Sequence, residues 1–245
     1  MTEPFVSILM LVHNAPRFAE LAIRGVHQRT PQRHELVVLD NASDAVTENL
    51  LRRLARDGFI DKLVRLDYNS FFAEGNNRAA AVADPEATHY LLLNSDVDIR
   101  SNQWLGRLLA VHRRGMTGYG VAPDPLRVDG YCLLIDADVY RSHPLDEEHQ
   151  WFWSVTKMQA AALREGLSVQ GYAKHEAFLH HFGGRSGSGF KDARGMHVPR
   201  SEVERWFDGH VPQVLDRRKD GSVPTSVGFL ARARRKLARL AARRE

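Results

Sequence analysis

The stretch LLLNSDVDIR, from Leu91 to Arg100, decides the fold of this 245-residue chain. Its apolar half is typical of a buried strand, and it ends in two carboxylates, Asp96 and Asp98, one residue apart. Burying an unpaired carboxylate carries a large desolvation cost. The pattern therefore predicts a strand whose carboxyl end holds a site with a positively charged partner.

Three segments before this stretch repeat the order strand then helix. Each has a short apolar run, then polar residues, then apolar side chains at helical spacing. This alternation predicts an α/β fold with a mostly parallel central sheet flanked by helices. The pairs are VSILMLVHN (6–14) with residues 16–28, ELVVLDNAS (35–43) with TENLLRRLARDG (47–58), and KLVRLDYN (62–69) with EGNNRAAAVA (74–83).

Polar side chains stand at the ends of three predicted strands. They are Asn14, Asp40 and Asp96. Because the carboxyl ends of parallel strands meet at one edge of a sheet, ligands bind there. The three residues together predict one pocket of nucleotide size.

The chain beyond Trp104 has a less regular pattern. Neither an internal repeat nor a long linker interrupts it, which indicates one domain followed by a C-terminal appendage. The predicted elements are a helix in QWLGRLLAVHRRG (103–115), a strand in GYCLLIDADVY (130–140), a helix in WFWSVTKMQAAALREG (151–166), and a strand running into a glycine-rich loop in AFLHHFGGRSGSGF (177–190).

The composition narrows the class of protein. A hydrophobic content of 43% is enough for an ordinary packed core. The single cysteine, Cys132, excludes an internal disulfide framework and fits a reducing compartment. No apolar run reaches about 18 residues, and the N-terminus lacks the pattern of a signal peptide. We therefore expect a cytoplasmic protein.

Much of the positive charge is concentrated in SVGFLARARRKLARLAARRE (226–245). Phe229, Ala233, Leu237 and Leu240 fall on one face, which predicts a basic amphipathic helix. Such a helix suits an anionic membrane surface, here the inner face of the plasma membrane; the alternative is a solvated tail. No nucleic-acid partner is expected, because no aromatic residues interleave the arginines.

Several stretches together resemble glycosyltransferase family 2, the inverting sugar-nucleotide enzymes of the GT-A fold. The resemblance runs from about Val6 to Ser186 and implies a Rossmann-like GT-A domain over residues 1–190. Residues 1–100 would be its nucleotide-binding half, residues 101–190 its acceptor half, and 191–245 a C-terminal extension with the basic helix. The stretches are VSILMLVHN, VVLDNAS, NSFFAEGNNRAA and LLLNSDVDIRSNQWLGRLL.

The resemblance implies a divalent cation, Mg²⁺ or Mn²⁺, at the D-x-D carboxylates. Asp98 would be a metal ligand, and Asp96 would face the ribose or reach the metal through water. His181, in HFGGRS, would complete the metal site, with His180 as its competitor. Hard carboxylate oxygens suit such cations, which bind through one or two carboxylates plus phosphates.

The same resemblance implies a nucleotide site. Asp40 would accept a hydrogen bond from the base, expected to be a pyrimidine of a UDP- or dTDP-linked sugar. Val12, His13 and Asn14 would line the base and ribose, and Asn77 would lie beside them. Glycines 183, 184, 187 and 189 would form a loop that closes over the donor.

The sequence departs from the family in LDEEHQWFWSVTKMQAAALREG (145–166). The family has Glu-Asp where this chain has Ser154 and Val155, and that aspartate is normally the general base. Valine has no proton-accepting group, and general base catalysis is worth about 10²–10⁴ in rate.

Three explanations for this departure stay open. A nearby group, Asp146, Glu147, Glu148 or His149, can serve as the base; the acceptor can supply its own; or the domain can be a non-catalytic sugar-nucleotide-binding module. The expected function is metal-dependent transfer of a sugar to a hydroxyl acceptor in bacterial polysaccharide or glycoconjugate synthesis. A lipid-linked acceptor is one of the alternatives. Trp151, Phe152 and Trp153 either line an acceptor subsite or belong to the core.

Overall fold

The computed structural model describes residues 3–185, 195–217 and 223. Its first half alternates strands and helices as the sequence predicts. The elements are β1 (Val6–Val12), α1 (Pro16–Arg29), β2 (His34–Asn41), α2 (Ala45–Arg56), β3 (Lys62–Leu66), α3 (Ala73–Ala81) and β4 (His89–Leu93).

The second half supplies the remaining strands and helices. The elements are β5 (Val97–Ile99), α4 (Trp104–Val111), β6 (Gly115–Tyr119), β7 (Val121–Pro123), β8 (Leu126–Val128), β9 (Cys132–Asp136), α5 (Ala137–Ser142), α6 (Phe152–Arg164), β10 (Ser168–Tyr172), β11 (Leu179–His181), α7 (Arg200–Phe207) and β12 (Gln213–Val214).

Eight strands form the main sheet, in the order β12-β10-β6-β9-β4-β1-β2-β3. Among these described strands, β9 alone is antiparallel to its neighbours. Its first residue, Cys132, lies opposite Leu93, and its last, Asp136, lies opposite His89. The amino end of β9 therefore lies at the same edge as the carboxyl ends of the parallel strands.

The core lies on both faces of this sheet, because the central strands are apolar on both sides. In β1, Ile8 and Met10 belong to one cluster and Leu9 to the other. The helices that cover the sheet lie close to it. At Gly75 in α3, a Cβ would be 2.9 Å from Leu11 Cδ1, so a larger residue here would require the Leu11 side chain to shift. The predicted α/β class is confirmed.

Two predicted strands are divided in the structure. The stretch 130–140 ends as a strand at Asp136 and continues as α5. The stretch 91–100 breaks at residues 94–96 between β4 and β5, and β5 pairs with β11 outside the main sheet. This break moves Asp98 from the main sheet onto a two-stranded ribbon.

Residues 195–217, which the sequence analysis assigned to the C-terminal extension, pack on the domain. Val203 and Phe207 of α7 contact Ala160 of α6, and β12 joins the sheet beside β10. The basic segment 226–245 lies outside the described residues. Within the described part of the chain, no helix is long and apolar enough to span a bilayer.

Candidate functional site

Asp96 is fully buried at the break between β4 and β5. Its Oδ1 lies 3.1 Å from His181 Nε2, and its Oδ2 accepts a hydrogen bond of 2.9 Å from the Arg185 amide. Burial alone would raise the pKa of Asp96, but the hydrogen bonds from His181 and Arg185 outweigh it and hold the pKa below its usual value. Asp96 is therefore ionised, and His181 is its partner within the protein.

Asp98 has a more open position on β5. It lies opposite His180 of β11, and its Oδ2 accepts a 3.1 Å hydrogen bond from Arg100 Nε. Its side chain is 32% exposed. A partly exposed carboxylate suits a divalent cation that takes its other ligands from phosphates and water. The residues present therefore fit Mg²⁺ or Mn²⁺ through Asp98.

The described residues hold one set of three metal-ligating groups within 4.8 Å of one another, and it lies elsewhere. It consists of His89, His112 and Asp136, at the edge of the sheet opposite Asp96. Asp136 Oδ2 lies 3.2 Å from His112 Nε2 and accepts a 2.6 Å hydrogen bond from the Gly115 amide. These contacts join β4, β6 and β9, so hydrogen bonding within the protein explains the cluster.

The structure brings four predicted nucleotide-binding residues together at the ends of β1 and β2. Val12 lies directly opposite Asp40. His13 Nδ1 is 2.7 Å from the Asn41 carbonyl oxygen. Asn14 donates its amide to Ser43 Oγ at 3.0 Å and accepts from the Asp44 amide at 2.8 Å. The two loops are thus tied together by hydrogen bonds.

The Asp40 carboxylate already has partners on both oxygens. Oδ1 accepts from the Ser43 amide at 2.9 Å, and Oδ2 accepts from Arg65 Nη1 at 3.1 Å. Arg65 also pairs with Glu48 of α2. Each carboxylate oxygen has a second lone pair, so Asp40 can accept a further hydrogen bond without losing these.

Asn77 lies on α3 and not in the loops after β1 and β2 that hold the other nucleotide-binding candidates. Its Nδ2 donates to the Leu145 carbonyl at 2.8 Å and to Glu147 Oε1 at 2.9 Å. Its Oδ1 accepts from Tyr140 and from the Leu145 amide. The side chain therefore holds the 145–147 loop against α3.

The four candidate bases upstream of α6 are already engaged or exposed. Asp146 pairs with Lys157 and lies 3.0 Å from His149 Nδ1. Burial opposes its ionisation, yet the bond from Lys157 and two weaker ones keep the pKa of Asp146 below its usual value. Glu147 accepts from Asn77, and Glu148 is exposed. A low pKa and an ion pair make Asp146 a weak proton acceptor.

A cleft of about 210 Å³ lies between the start of β9, the start of α6 and β11. The sequence indicated His181 and the aromatic residues 151 and 152 as part of a site, but not Asn94 or Asp129. Asn94 follows β4 directly, and Asp129 follows β8 and precedes the predicted strand 130–140. The cleft is lined by Phe72, Asn94, Asp129, Gly130, Tyr131, Trp151, Phe152, His181, Gly184 and Met196.

The position that lacks the expected aspartate adjoins this cleft. Val155 is 1% exposed and packs on Gly130, where a Cβ would come within 2.8 Å of Val155 Cγ2. His181 stacks on Tyr131 with ring centroids 4.1 Å apart. The cleft therefore joins the Asp96–His181 pair to an aromatic wall.

Comparison with known proteins agrees with this geometry. Residues 7–125 match the family model described as glycosyl transferase family 2, which confirms the resemblance seen in the sequence. The family match is confined to this segment, and the fold of the chain is GT-A. No curated protein sequence matches the chain significantly.

Solved structures with the same fold are distant in sequence. A mannosyltransferase from Pyrobaculum calidifontis, PcManGT, in complex with GDP-Man and Mn²⁺, is 16% identical with a TM-score of 0.57, over 68% of this chain and 54% of that one. S. aureus TarS 1-349 is 13% identical with a TM-score of 0.52, over 64% and 54%.

The TarS complex with UDP is 13% identical with a TM-score of 0.51, over 63% of this chain and 55% of that one. The present chain thus spans about half the length of the structures it matches.

Proposed function

We propose that the protein transfers a sugar from a nucleoside diphosphate sugar to a hydroxyl acceptor. One observation carries the proposal: the tied loops after β1 and β2, the Asp96–His181 pair and an aromatic cleft all lie at the same edge of the sheet. The loops offer a place for a nucleoside. The cleft offers a place for a sugar, since aromatic rings stack on apolar faces.

In this proposal Val12, His13, Asn14 and Asp40 form the nucleoside subsite, and Asn77 positions the loop behind it. Asp40 accepts an N–H of the base while keeping its bond to Arg65. The family resemblance favours a pyrimidine, in a UDP- or dTDP-linked donor. The similar structures with UDP and with GDP-Man support a nucleoside diphosphate sugar in general.

Asp98 would hold Mg²⁺ or Mn²⁺, with Asp96 and His181 beside it. When bound, such an ion acts as a Lewis acid that neutralises the leaving diphosphate. The chain's own contribution is to fix these groups. Asp96 holds the His181 ring, and Tyr131 stacks on that ring from the cleft side. Gly183 and Gly184, both at positive φ, follow as a turn suited to cover the donor.

The acceptor in this proposal is a hydroxyl group of a lipid-linked glycan, made during bacterial polysaccharide or glycoconjugate synthesis. The basic segment 226–245 would hold the protein at an anionic membrane surface. Co-sedimentation of the full chain and of residues 1–225 with vesicles containing anionic lipid tests this part. Equal pelleting of the two proteins would remove the membrane role.

Isothermal titration calorimetry with UDP, dTDP and GDP, with Mn²⁺ or with a chelator, tests the donor site. We expect one nucleotide to bind and Mn²⁺ to strengthen its binding. Release of nucleoside diphosphate from UDP-, dTDP- and GDP-sugars then tests turnover. If none of the nucleotides binds, the proposed function is wrong.

The second candidate is a sugar-nucleotide-binding module without catalytic activity. Val155 in place of the aspartate is the observation that favours it. This candidate predicts nucleotide binding with no release of nucleoside diphosphate above the uncatalysed rate. The same two measurements therefore separate the candidates.

A further inference from the structure

We infer that Asp129 is the general base of the transfer reaction, replacing the aspartate that Val155 displaces. This inference rests on the proposed function. It assigns the proton transfer to a residue in the connection between β8 and β9, not to Asp146, Glu147 or Glu148 in the loop before α6. Four observations about its position support it.

The first observation is the kind of side chain that lines the cleft. Of the described residues that line it, Asp129 alone carries a carboxylate. His181 lines the same cleft but is bound to Asp96, which faces the proposed diphosphate site. A base that deprotonates an acceptor must lie in the acceptor's cleft and be within hydrogen-bond reach of its hydroxyl.

The second observation is the contact between Gly130 and Val155. Gly130 follows Asp129 directly and packs on the Val155 side chain, with room for no Cβ between them. An aspartate side chain at position 155 would contact Gly130, which forms part of the wall of the cleft. Asp129 is thus the sequence neighbour of the residue that contacts position 155, where the family has its base.

The third observation is the rigid support of Asp129. Gln159 of α6 is completely buried, and it accepts a 3.0 Å hydrogen bond from the Val128 amide and donates one of 2.8 Å to the Val128 carbonyl. The Asp129 amide donates to the Gly120 carbonyl at 2.9 Å. These three bonds fix the backbone on the amino side of the Asp129 Cα, so the base costs little further ordering in the transition state.

The fourth observation is that the Asp129 carboxylate is available to accept a proton. The side chain is half-buried, and among the described residues none donates a hydrogen bond to its carboxylate. Asp96, Asp98 and Asp146, by contrast, each accept a bond from a cationic or imidazole side chain. A carboxylate without such donors keeps its lone pairs for a substrate proton.

The reaction step balances with Asp129 in this role. The acceptor oxygen forms a bond to the anomeric carbon as the bond from that carbon to the diphosphate oxygen breaks. The diphosphate leaves with the electron pair of the broken bond. The proton of the acceptor hydroxyl passes to the Asp129 carboxylate.

The test uses water as the acceptor, so no natural acceptor is needed. Release of UDP from UDP-glucose and UDP-N-acetylglucosamine, and of the corresponding diphosphates from dTDP- and GDP-sugars, is compared between the full-length protein and Asp129→Asn. We expect a loss of about 10²–10⁴-fold in the turnover rate. The affinity for the free nucleoside diphosphate should change less than threefold, since Asp129 faces the acceptor.

Matched variants keep the result interpretable. Asp124→Asn changes the same residue type in the same hairpin, where Asp124 is exposed and bonded only to Arg200 among the described residues, and should retain full turnover. Asp129→Ala with added sodium formate should regain part of the lost rate, because formate can replace the missing carboxylate. Thermal unfolding of each variant checks that it is folded.

The outcomes distinguish the two proposals. If the unmodified protein releases no diphosphate from any donor and binds no nucleotide, the proposed function fails and this inference with it. If it turns over and Asp129→Asn does so equally fast, only the inference fails. A loss in Glu147→Gln or Glu148→Gln, with none in Asp129→Asn, would assign the base to that residue instead.

Discussion

Gly130 lies directly against Val155, and a Cβ on Gly130 would be 2.8 Å from Val155 Cγ2. The start of β9 and the first turn of α6 therefore meet with no space for a methyl group. Gly130→Ala should destabilise the protein by about 1–3 kcal/mol through this overlap. Urea unfolding measures the change.

The same contact predicts coupling between the two positions. Val155→Ala alone should cost about 1–2.5 kcal/mol, because it leaves a cavity. Gly130→Ala combined with Val155→Ala should be less destabilising than the sum of the single variants. Additive costs would mean that the two residues do not touch.

Replacement of Asp98 tests the metal-binding assignment. Asp98→Asn removes a charged ligand and should weaken nucleotide binding by about 10–100-fold when Mn²⁺ is present, the range typical of disturbed metal sites. With a chelator, the variant and the parent should bind the nucleotide alike. Asp138→Asn, an exposed aspartate at the opposite edge, is the control. Calorimetry showing no effect of Mn²⁺ in either protein would contradict the assignment.

The cluster at the opposite edge predicts a pH dependence of stability. Burial works against the charge of Asp136, but His112 and the Gly115 amide outweigh it and hold the pKa of Asp136 below its unfolded value. A carboxyl whose pKa is lower in the folded state stabilises the protein above its unfolded pKa. That stability is lost as the pH falls through the folded pKa.

Asp136→Asn should therefore unfold at a lower temperature than the parent at pH 7. The difference should begin to shrink as the pH falls below about 4, near the unfolded pKa of the carboxyl, and disappear once the pH is below the lower folded pKa. Thermal unfolding at pH 7, 5, 4 and 3 measures this. A constant difference across that series would show that the charge of Asp136 contributes nothing.

Gln159 should act by positioning Asp129. Gln159→Leu leaves the Val128 amide and carbonyl without their partner, at a cost of about 1–3 kcal/mol for each buried group. We expect turnover to fall while nucleotide affinity stays within threefold. Formate should not restore the rate, because the Asp129 carboxylate is still present. Rescue by formate would contradict a positioning role.

The sequence was sufficient to predict the first half of the fold. The apolar runs of β1, β2 and β4 are separated by helices, and this alternation leaves few alternatives to a parallel sheet. It was not sufficient in the second half. β6 and β10 contain Gly118 and Gly171 among small and polar residues, so neither shows a clear strand pattern.

The candidate site was predicted only where residues follow parallel strands. Val12, His13, Asn14 and Asp40 come together because β1 and β2 run in the same direction. The sequence could not show that Asn77 contacts Leu145, since that contact joins residues 68 positions apart. It also could not show that Lys157 would pair with Asp146 across a turn of the chain.

Asp129 was missed because β8, the short strand that it follows, has no clear strand pattern in the sequence, and the predicted strand begins only at residue 130. The reversed direction of β9 brings residues 129–131, which connect β8 to β9, to the edge where the parallel strands end. One inverted strand thus gives the fold a second source of chemical groups, independent of the loops that hold the donor. A protein that lacks the aspartate on the helix can thus take a proton acceptor from the connection before the inverted strand and keep the rest of the scaffold unchanged.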